Sequence, residues 1–312
     1  MTDWKYRFTV PEKKRVRMIV YSDCKNEADD QYAIAHQLMT DKIEVRGFVA
    51  GHFNGNPQEY GDGNTAKASF AEIEKVLELM GLSGRYPIKL GAEYPLSDEK
   101  TPRESEGMRF IIEEALREDE RPLYIACLGG VTDLASAILT CPEICGRMTA
   151  IWIGGGVYPE GTGEFNMEQD VAAANVLFCS KMPLWQIPRN TYKQVSVTLA
   201  QLQRNVAPCG ELGKYLFEQL VAYNDKCAER MDWPHGETWG LGDSPTVGVL
   251  LFERECEDVY DIVSAPRVDY KTFRYLHNVG NRDIRVYKDA NARLLLDDFF
   301  AKLWINFGPE GQ

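Results

Sequence analysis

An apolar run that stops in acid sets the first constraint on this chain. Residues Arg15–Asp30 read RVRMIVYSDCKNEADD. Val16 and Met18–Tyr21 are apolar and largely β-branched, and Asp23, Glu27, Asp29 and Asp30 follow closely. The next segment, Gln31–Met39 (QYAIAHQLM), has the pattern of an amphipathic helix. The reading is a strand that stops, a tight loop that collects four carboxylates, and a helix that starts. Like charges crowded in this way repel, and a folded chain tolerates them when a cation, protons or water screens them. In open α/β sheets the carboxyl ends of the strands are where ligands sit. A hard divalent cation with oxygen ligands, calcium or magnesium, is one reading of the loop. The other is local: Asp29 and Asp30 are first-turn acids that favour the helix dipole, and Glu27 is solvated.

Further along, strands are expected at Ile43–Ala50, Tyr86–Gly91, Pro122–Cys127, Met148–Ile153, Pro183–Ile187, Val259–Ser264 and Ile284–Val286. Helices are expected at Asn64–Met80 (closed by Gly81), Met108–Glu118, Val131–Thr140, Asp170–Cys179, Thr198–Asn205, Glu211–Asp225, Ser244–Glu253 and Asn291–Phe307. Residues 1–14 read as an edge segment or tail. The alternation predicts an α/β fold with a mostly parallel central sheet flanked by helices. No repeat, low-complexity run or linker divides the chain, so one domain over 1–312 is expected.

Composition narrows the partners. A net charge of −12 argues against binding nucleic acid or an anionic membrane through bulk electrostatics. No stretch approaches the length of a membrane span, and the N-terminus lacks the apolar core of a signal peptide. The eight cysteines include no C-x-x-C pair, which predicts reduced thiols and a cytoplasmic location and argues against zinc.

Three more stretches carry polar groups at strand ends. Leu128–Leu139 (LGGVTDLASAIL) has glycines that let backbone approach a ligand, and Thr132 opens a helix. Gly163–Phe178 (GEFNMEQDVAAANVLF) holds Glu164 and Asn166 ahead of a helix that Asp170 caps. Glu237–Leu251 (ETWGLGDSPTVGVLL) places Asp243 before an apolar helix. Taken singly, these are a capped strand–helix turn, loop residues and an N-cap. Tyr192, His52 and the Trp233/His235/Trp239 group are weaker candidates.

In order, the four stretches resemble the inosine–uridine-type nucleoside hydrolase family. That family opens with a D-x-D-P-G-x-D-D loop. It continues with a Gly-Asn turn and a helix bearing Asn, then a G-P-L-T-N stretch and a Met-Gly-Gly strand end. An E-F-N-x-x-x-D-P-x-A-A segment and a late His-Asp-Pro follow. The counterparts here are SDCKNEADD, AGHFNGN with Asn64, GGVTDLA, IGGG, EFNMEQDVAAA and GDSP, and RVYKDANARLLLDDFFAKL resembles the closing strand and helix. The resemblance implies a nucleoside hydrolase-like, Rossmann-like domain and a calcium-dependent N-ribohydrolase. It further implies a small-molecule riboside substrate and a homo-oligomer, dimer or tetramer. It implies Ca2+ held by Asp23, Asp30, the Thr132 main-chain carbonyl and Asp243, with Asp29 as general base acting on a metal-bound water. Glu164 and Asn166 would hold ribose hydroxyls.

The chain departs from the family at several points. Five residues, Cys24–Ala28, separate Asp23 from Asp29 where the family has three, and Asn26-Glu27-Ala28 replaces Pro-Gly. Asn26 and Glu27 are therefore candidates to share metal or sugar contacts. The Gly-Asn turn reads Gly51-His52, so the Asn contact is either missing or moved to Asn54. The residue before the late Asp is Gly242 instead of His. Leaving-group help would then come from His52, His235 or stacking on Trp239, or the substrate has a better leaving group.

These residue types suit glycosyl cleavage through an oxocarbenium-like sugar. A carboxylate within hydrogen-bond reach of the water contributes roughly 10²–10⁴-fold as general base. A hydroxyl clamp discriminates because a sugar lacking the hydroxyl leaves Glu164 and Asn166 unpaired. Two other classes stay open at this point. One is a non-catalytic, calcium-stabilised ribose- or carbohydrate-binding protein on the same fold, which Gly242 favours. The other is a magnesium-dependent phosphotransfer enzyme, for which no G-x-x-x-x-G-K-[ST] loop is present.

Overall fold

The first strand, β1 (Val16–Ser22), is buried at every position. The apolar residues Val16 and Met18–Tyr21 require this, because a central parallel strand is covered on both faces, and Arg17 is buried with its guanidinium on the Asp119 and Arg121 carbonyls. The computed structural model describes residues 4–230, 232–252 and 259–309. After β1 come α1 (Asp30–Met39), β2 (Ile43–Ala50), α2 (Thr65–Leu79), β3 (Ile88–Leu90), α3 (Glu106–Leu116), β4 (Leu123–Cys127) and α4 (Thr132–Thr140). The middle of the chain forms β5 (Thr149–Ile153), α5 (Phe165–Gln169), α6 (Val171–Cys179), β6 (Leu184–Ile187) and α7 (Arg189–Tyr192). It continues through β7 (Ser196–Thr198), α8 (Leu199–Asn205), α9 (Gly210–Ala228), β8 (Thr238–Gly240) and α10 (Pro245–Leu251). The last elements are β9 (Tyr260–Ser264), β10 (Arg267–Val268), β11 (Tyr275–Leu276), β12 (Asp283–Tyr287) and α11 (Ala292–Phe307).

Eight strands form one sheet in the order β3-β2-β1-β4-β5-β6-β12-β9. All neighbouring pairs are parallel except β9 against β12. Alternation along β1 feeds two cores. Val16, Met18 and Val20 pack with residues of α1, α2, α9, α10 and α11. Ile19 and Tyr21 pack with residues of α3, α4 and α6. The expected mostly parallel sheet flanked by helices is therefore what forms.

Strand order reverses at β1, which lies between β2 and β4. Such a switch point opens a crevice at the carboxyl ends of the two strands. The acidic loop after β1 and the Leu128-Gly129-Gly130 turn after β4 both lie there.

Some elements differ from expectation. Residues 4–14 are not a sheet edge: Trp4 Nε1 donates to Leu38 O (2.9 Å), Tyr6 OH to Met39 O (2.6 Å) and the Lys5 N–H to Asn306 Oδ1 (2.9 Å). The segment thus straps α1 to α11. Helix α5 replaces an expected loop, and β7–β8 and β10–β11 are small antiparallel ribbons. The expected helix end at Glu253 lies outside the described residues. Among the described residues, no helix is long and apolar enough to cross a membrane.

Candidate functional site

Ser22 closes β1 and turns its hydroxyl back into the loop. Its Oγ donates to Asp30 Oδ1 at 2.5 Å and accepts the Cys24 N–H at 3.0 Å. This fixes the first residue of α1 beside the end of β1. Asp29, just before the helix, makes no side-chain cap to it. Instead Asp29 Oδ2 accepts the Asp243 N–H at 3.3 Å, across 214 residues of chain. The first-turn reading of Asp29 therefore gives way to a tertiary contact. Asp243 likewise stands outside α10 as a wall residue, and Ser244 takes the N-cap position.

Asp23, Glu27, Asp29, Asp30 and Asp243 now share one electrostatic neighbourhood. Oxygens of Asp29, Asp30 and Asp243 all lie within 4.8 Å of one another. Burial first, and the charges of the neighbouring carboxylates second, push Asp23, Asp29 and Asp243 well above the usual carboxylate range. Burial and then the Asp30 charge raise Glu27 to about 7. Burial raises Asp30 to about 6 against the opposing hydrogen bond from Ser22. Asp23 Oδ2 is buried with no hydrogen-bond partner among the described residues. An all-oxygen cluster with one orphaned oxygen fits a hard divalent cation, with Asp23, Asp29, Asp30 and Asp243 the residues able to hold it.

Gly129 explains how Asp23 is placed. A Cβ at 129 would stand 2.4 Å from Asp23 Cγ and Oδ1. The glycine lets the turn after β4 lie against the carboxylate itself.

The opposite wall is built on α5. Glu164 caps this helix, and its carboxylate accepts the N–H groups of Asn166 (3.2 Å), Met167 (2.9 Å) and Gly155 (2.7 Å) and the Tyr192 hydroxyl (2.9 Å). Four donors fill both oxygens. Burial raises the Glu164 pKa and these bonds oppose it. Asn166 Nδ2 donates to Leu128 O (2.7 Å) and Ile153 O (2.9 Å), tying α5 to the ends of β4 and β5. Asp170 caps α6 as expected, accepting the Ala173 N–H at 2.8 Å.

Together these groups line one pocket: Asp23, Asn26, Glu27, Asp29, Asp30, Glu164, Asn166 and Asp243, all singled out in the sequence. Leu128, Ile153, Phe165, Tyr192 and Gly242 complete it. Leu128, Ile153 and Phe165 carry no chemical flag in a sequence, Gly242 stood out only as the residue in place of a His, and Tyr192 gave only a weak signal. Gly242 and Tyr192 are matched, since a Cβ at 242 would stand 3.1 Å from Tyr192 Cδ2 and 3.4 Å from Asp29 Oδ2.

Five expected site residues lie elsewhere. Thr132 is outside the pocket, and its carbonyl accepts Ser136 Oγ at 2.8 Å. Its hydroxyl donates to Asp170 Oδ2 (2.7 Å) and therefore accepts from His52 Nε2 (2.8 Å). His52 Nδ1 accepts the Asn54 N–H at 3.4 Å, so the ring serves as a neutral structural link. Burial, with the charge of Arg103, lowers its pKa to about 4. Asn54 pins its own loop, accepting from Thr65 Oγ1 at 2.9 Å and donating to Glu93 O. Asn64 is exposed at the start of α2. Trp239 is 2% exposed and packs on Tyr223 and Trp233.

The family profile described as inosine-uridine preferring nucleoside hydrolase matches residues 20–272. The pyrimidine-specific ribonucleoside hydrolase RihA of Salmonella paratyphi A is 22% identical over 251 residues, spanning 72% of this chain and 74% of that one. The purine-preferring ribonucleoside hydrolase of Gardnerella vaginalis superposes with a TM-score of 0.73 at 17% identity, covering 92% of this chain and 98% of that one. The inosine-uridine preferring nucleoside hydrolase of Bacillus anthracis superposes with a TM-score of 0.65 at 17% identity, covering 93% and 99%. At these identities the superpositions show a shared fold.

Proposed function

The chain belongs to the inosine-uridine preferring nucleoside hydrolase family, hydrolases acting on N-glycosyl bonds, and from that premise we propose that it is a calcium-dependent N-ribohydrolase. Its substrate is a nucleoside or related small riboside. The observation that carries the metal reading is the buried, unpartnered Asp23 Oδ2 within the electrostatic reach of Asp30 and Asp243, whose own oxygens converge within 4.8 Å. Asp23, Asp30 and Asp243 would hold the cation. Leu128 replaces Thr132 as the source of a main-chain carbonyl, since Leu128 lines the pocket and Thr132 does not, and the Leu128 oxygen keeps a second lone pair beside the bond from Asn166. When bound, Ca2+ supplies charge that acidifies a coordinated water and orders sugar hydroxyls.

The chain's own residues do the rest. Asp29, held by the Asp243 N–H, takes the proton from the attacking water as the C1′–N bond breaks. Asn166 keeps its Nδ2 on the two strand-end carbonyls and offers Oδ1 to a ribose hydroxyl. Glu164 has no free lone pair, so a sugar hydroxyl reaches it by taking the place of the Tyr192 hydroxyl. Asn26 and Glu27 extend the wall on the loop side. In the same proposal the protein is one domain over 1–312 and a cytoplasmic homo-oligomer, dimer or tetramer. The non-catalytic and phosphotransfer readings give way to family membership.

The direct test is ribose release from purine and pyrimidine ribosides, with calcium and with a chelator. Release that the chelator abolishes and calcium restores is expected. Release unaffected by chelation would remove the metal from the proposal. A second expectation concerns Gly129→Ala, which must push Asp23 aside. Calcium affinity is expected to fall about 10–100-fold, the usual cost of disturbing a group that positions a ligand. Calorimetric titration reads this, and unchanged affinity would take Asp23 out of the ligand set.

A further inference from the structure

We infer that Asn26 donates its side-chain amide to a ribose hydroxyl, and that one face of α9, through Tyr215, Gln219 and Tyr223, positions it by holding the lengthened acidic loop from behind. This deepens the hydrolase reading and rests on it.

The first support is the hydrogen bonding of Asn26 itself. Its N–H closes a turn onto Asp23 O at 3.0 Å. Its carbonyl accepts the Tyr223 hydroxyl at 2.9 Å and Gln58 Nε2 at 2.8 Å, which fills both lone pairs. The main chain is therefore fully used, and the side chain is left for the pocket. Asn26 lines that pocket while only 4% exposed. Gln58 Nε2 also lies 3.5 Å from Asn26 Oδ1. This turns the amide oxygen toward Gln58 and leaves Nδ2 as the free end, with no acceptor among the described residues.

The second support is what the rest of the wall lacks. Among the described residues, the side-chain N–H groups of the lining belong to Asn26 and Asn166. Those of Asn166 are spent on Leu128 O and Ile153 O. A sugar hydroxyl that gives its proton to a carboxylate still has lone pairs to satisfy, and burying them unmatched is costly. Asn26 Nδ2 can match one without breaking a bond already made.

The third support is the helix behind the loop. Tyr215, Gln219 and Tyr223 are spaced four apart, so they share one face of α9. Tyr223 holds Asn26, and Gln219 Nε2 donates to Ala28 O at 2.9 Å. The Tyr215 hydroxyl donates at 2.5 Å to Glu72 of α2, whose other oxygen pairs with Lys25 Nζ at 3.0 Å. The loop needs these bonds. Lys25 has φ +96° and Gln58 φ +49°, conformations that residues other than glycine rarely adopt and that persist only where their surroundings hold them. Tyr215, Gln219, Tyr223 and Gln58 all lie outside the pocket lining, so they act through the loop and not on the substrate.

The test uses the calcium-loaded protein and whichever of inosine and uridine it cleaves faster. Asn26→Ala keeps both main-chain contacts and removes only the amide. It is expected to lower kcat/KM by about 3- to 10-fold, the usual worth of one hydrogen bond, with calcium affinity unchanged by calorimetry. The 2′-, 3′- and 5′-deoxy forms of that riboside are then titrated as competitive inhibitors of parent and variant. Two are expected to bind the variant more weakly by a similar factor. The third, lacking the hydroxyl that Asn26 meets, is expected to bind both proteins equally. All three weakened alike, or none weakened, overturns the inference and leaves the hydrolase reading standing. Calcium affinity that falls with kcat/KM also overturns it, since Asn26 would then act through the cation. No release from either riboside by the parent overturns both readings. Tyr223→Phe with Gln58→Ala strips both donors from the Asn26 carbonyl and keeps a ring against Trp239. This double variant is expected to weaken the same two analogues and spare the same third. Uniform weakening of all three would overturn the positioning role of α9.

Discussion

Asp29→Asn is expected to lower kcat by about 10²–10⁴-fold while calcium still binds. The amide keeps the shape of the side chain and, through its oxygen, the contact with the Asp243 N–H. It removes the proton acceptor and one negative charge from a crowded cluster. Because burial and then the neighbouring carboxylates raise Asp29 well above its usual range, the cation-free variant is also expected to melt higher than the parent. Asp23→Asn behaves differently. It removes the charge at the orphaned oxygen, so calcium affinity falls first and turnover falls with it. Titration calorimetry and steady-state kinetics on both variants separate the two roles. Asp29 offers an oxygen within 4.8 Å of those of Asp30 and Asp243, so the comparison has a clear adverse result. If Asp29→Asn loses the cation as Asp23→Asn does, Asp29 is a ligand and the base lies elsewhere. Undiminished turnover would sink the base assignment outright.

The fold was legible because strand segments buried on both faces are written as short apolar runs, as Met18–Tyr21 of β1, Gly47–Ala50 of β2 and Ala150–Ile153 of β5 are. Helix α5, at five residues, is too short for a periodicity to show. The ribbon strands β7 and β8 have three residues each and find partners about forty positions away, which no local pattern records. Within the site, polarity at strand ends picked out Asp23, Asn26, Glu27, Asp29, Asp30, Glu164, Asn166 and Asp243, and all of these line the pocket. The same signal picked out His52, Asn54 and Thr132, which do not. Those three satisfy their own loops and one another. A sequence displays donors and acceptors but not their pairing, so a structural network and a ligand shell look alike. Gly242 shows the converse limit: its meaning lies in the ring of Tyr192, fifty residues earlier, against which a Cβ at 242 would crowd.

Removing the cation is expected to make the fold's stability fall with rising pH, and restoring calcium to abolish that slope. Asp30 and Glu27 have folded pKa values of about 6 and about 7, above their ordinary values of 3.8 and 4.5. Asp23, Asp29 and Asp243 shift in the same direction. The folded state therefore holds protons that the unfolded state has released, and stability drops as pH climbs through the folded values. For Asp30 alone the shift corresponds to about 3 kcal/mol, lost mainly below pH 6.5, and above that the slope is left to Glu27, at about 7, and to Asp23, Asp29 and Asp243. The buried histidines work in the opposite sense. Burial lowers His36 and His52 to about 4 from 6.5, so their contribution is complete above pH 6.5 and is lost as pH falls toward 4. Above pH 6.5 they add no slope, and the carboxylate cluster stands alone. Melting curves from pH 6.5 to 8.5 in chelator are expected to show a falling Tm. With excess calcium the carboxylates ionise against the cation, and the gap between the two curves widens with pH. A chelator without effect at pH 8 would mean that this cluster is satisfied by protons alone.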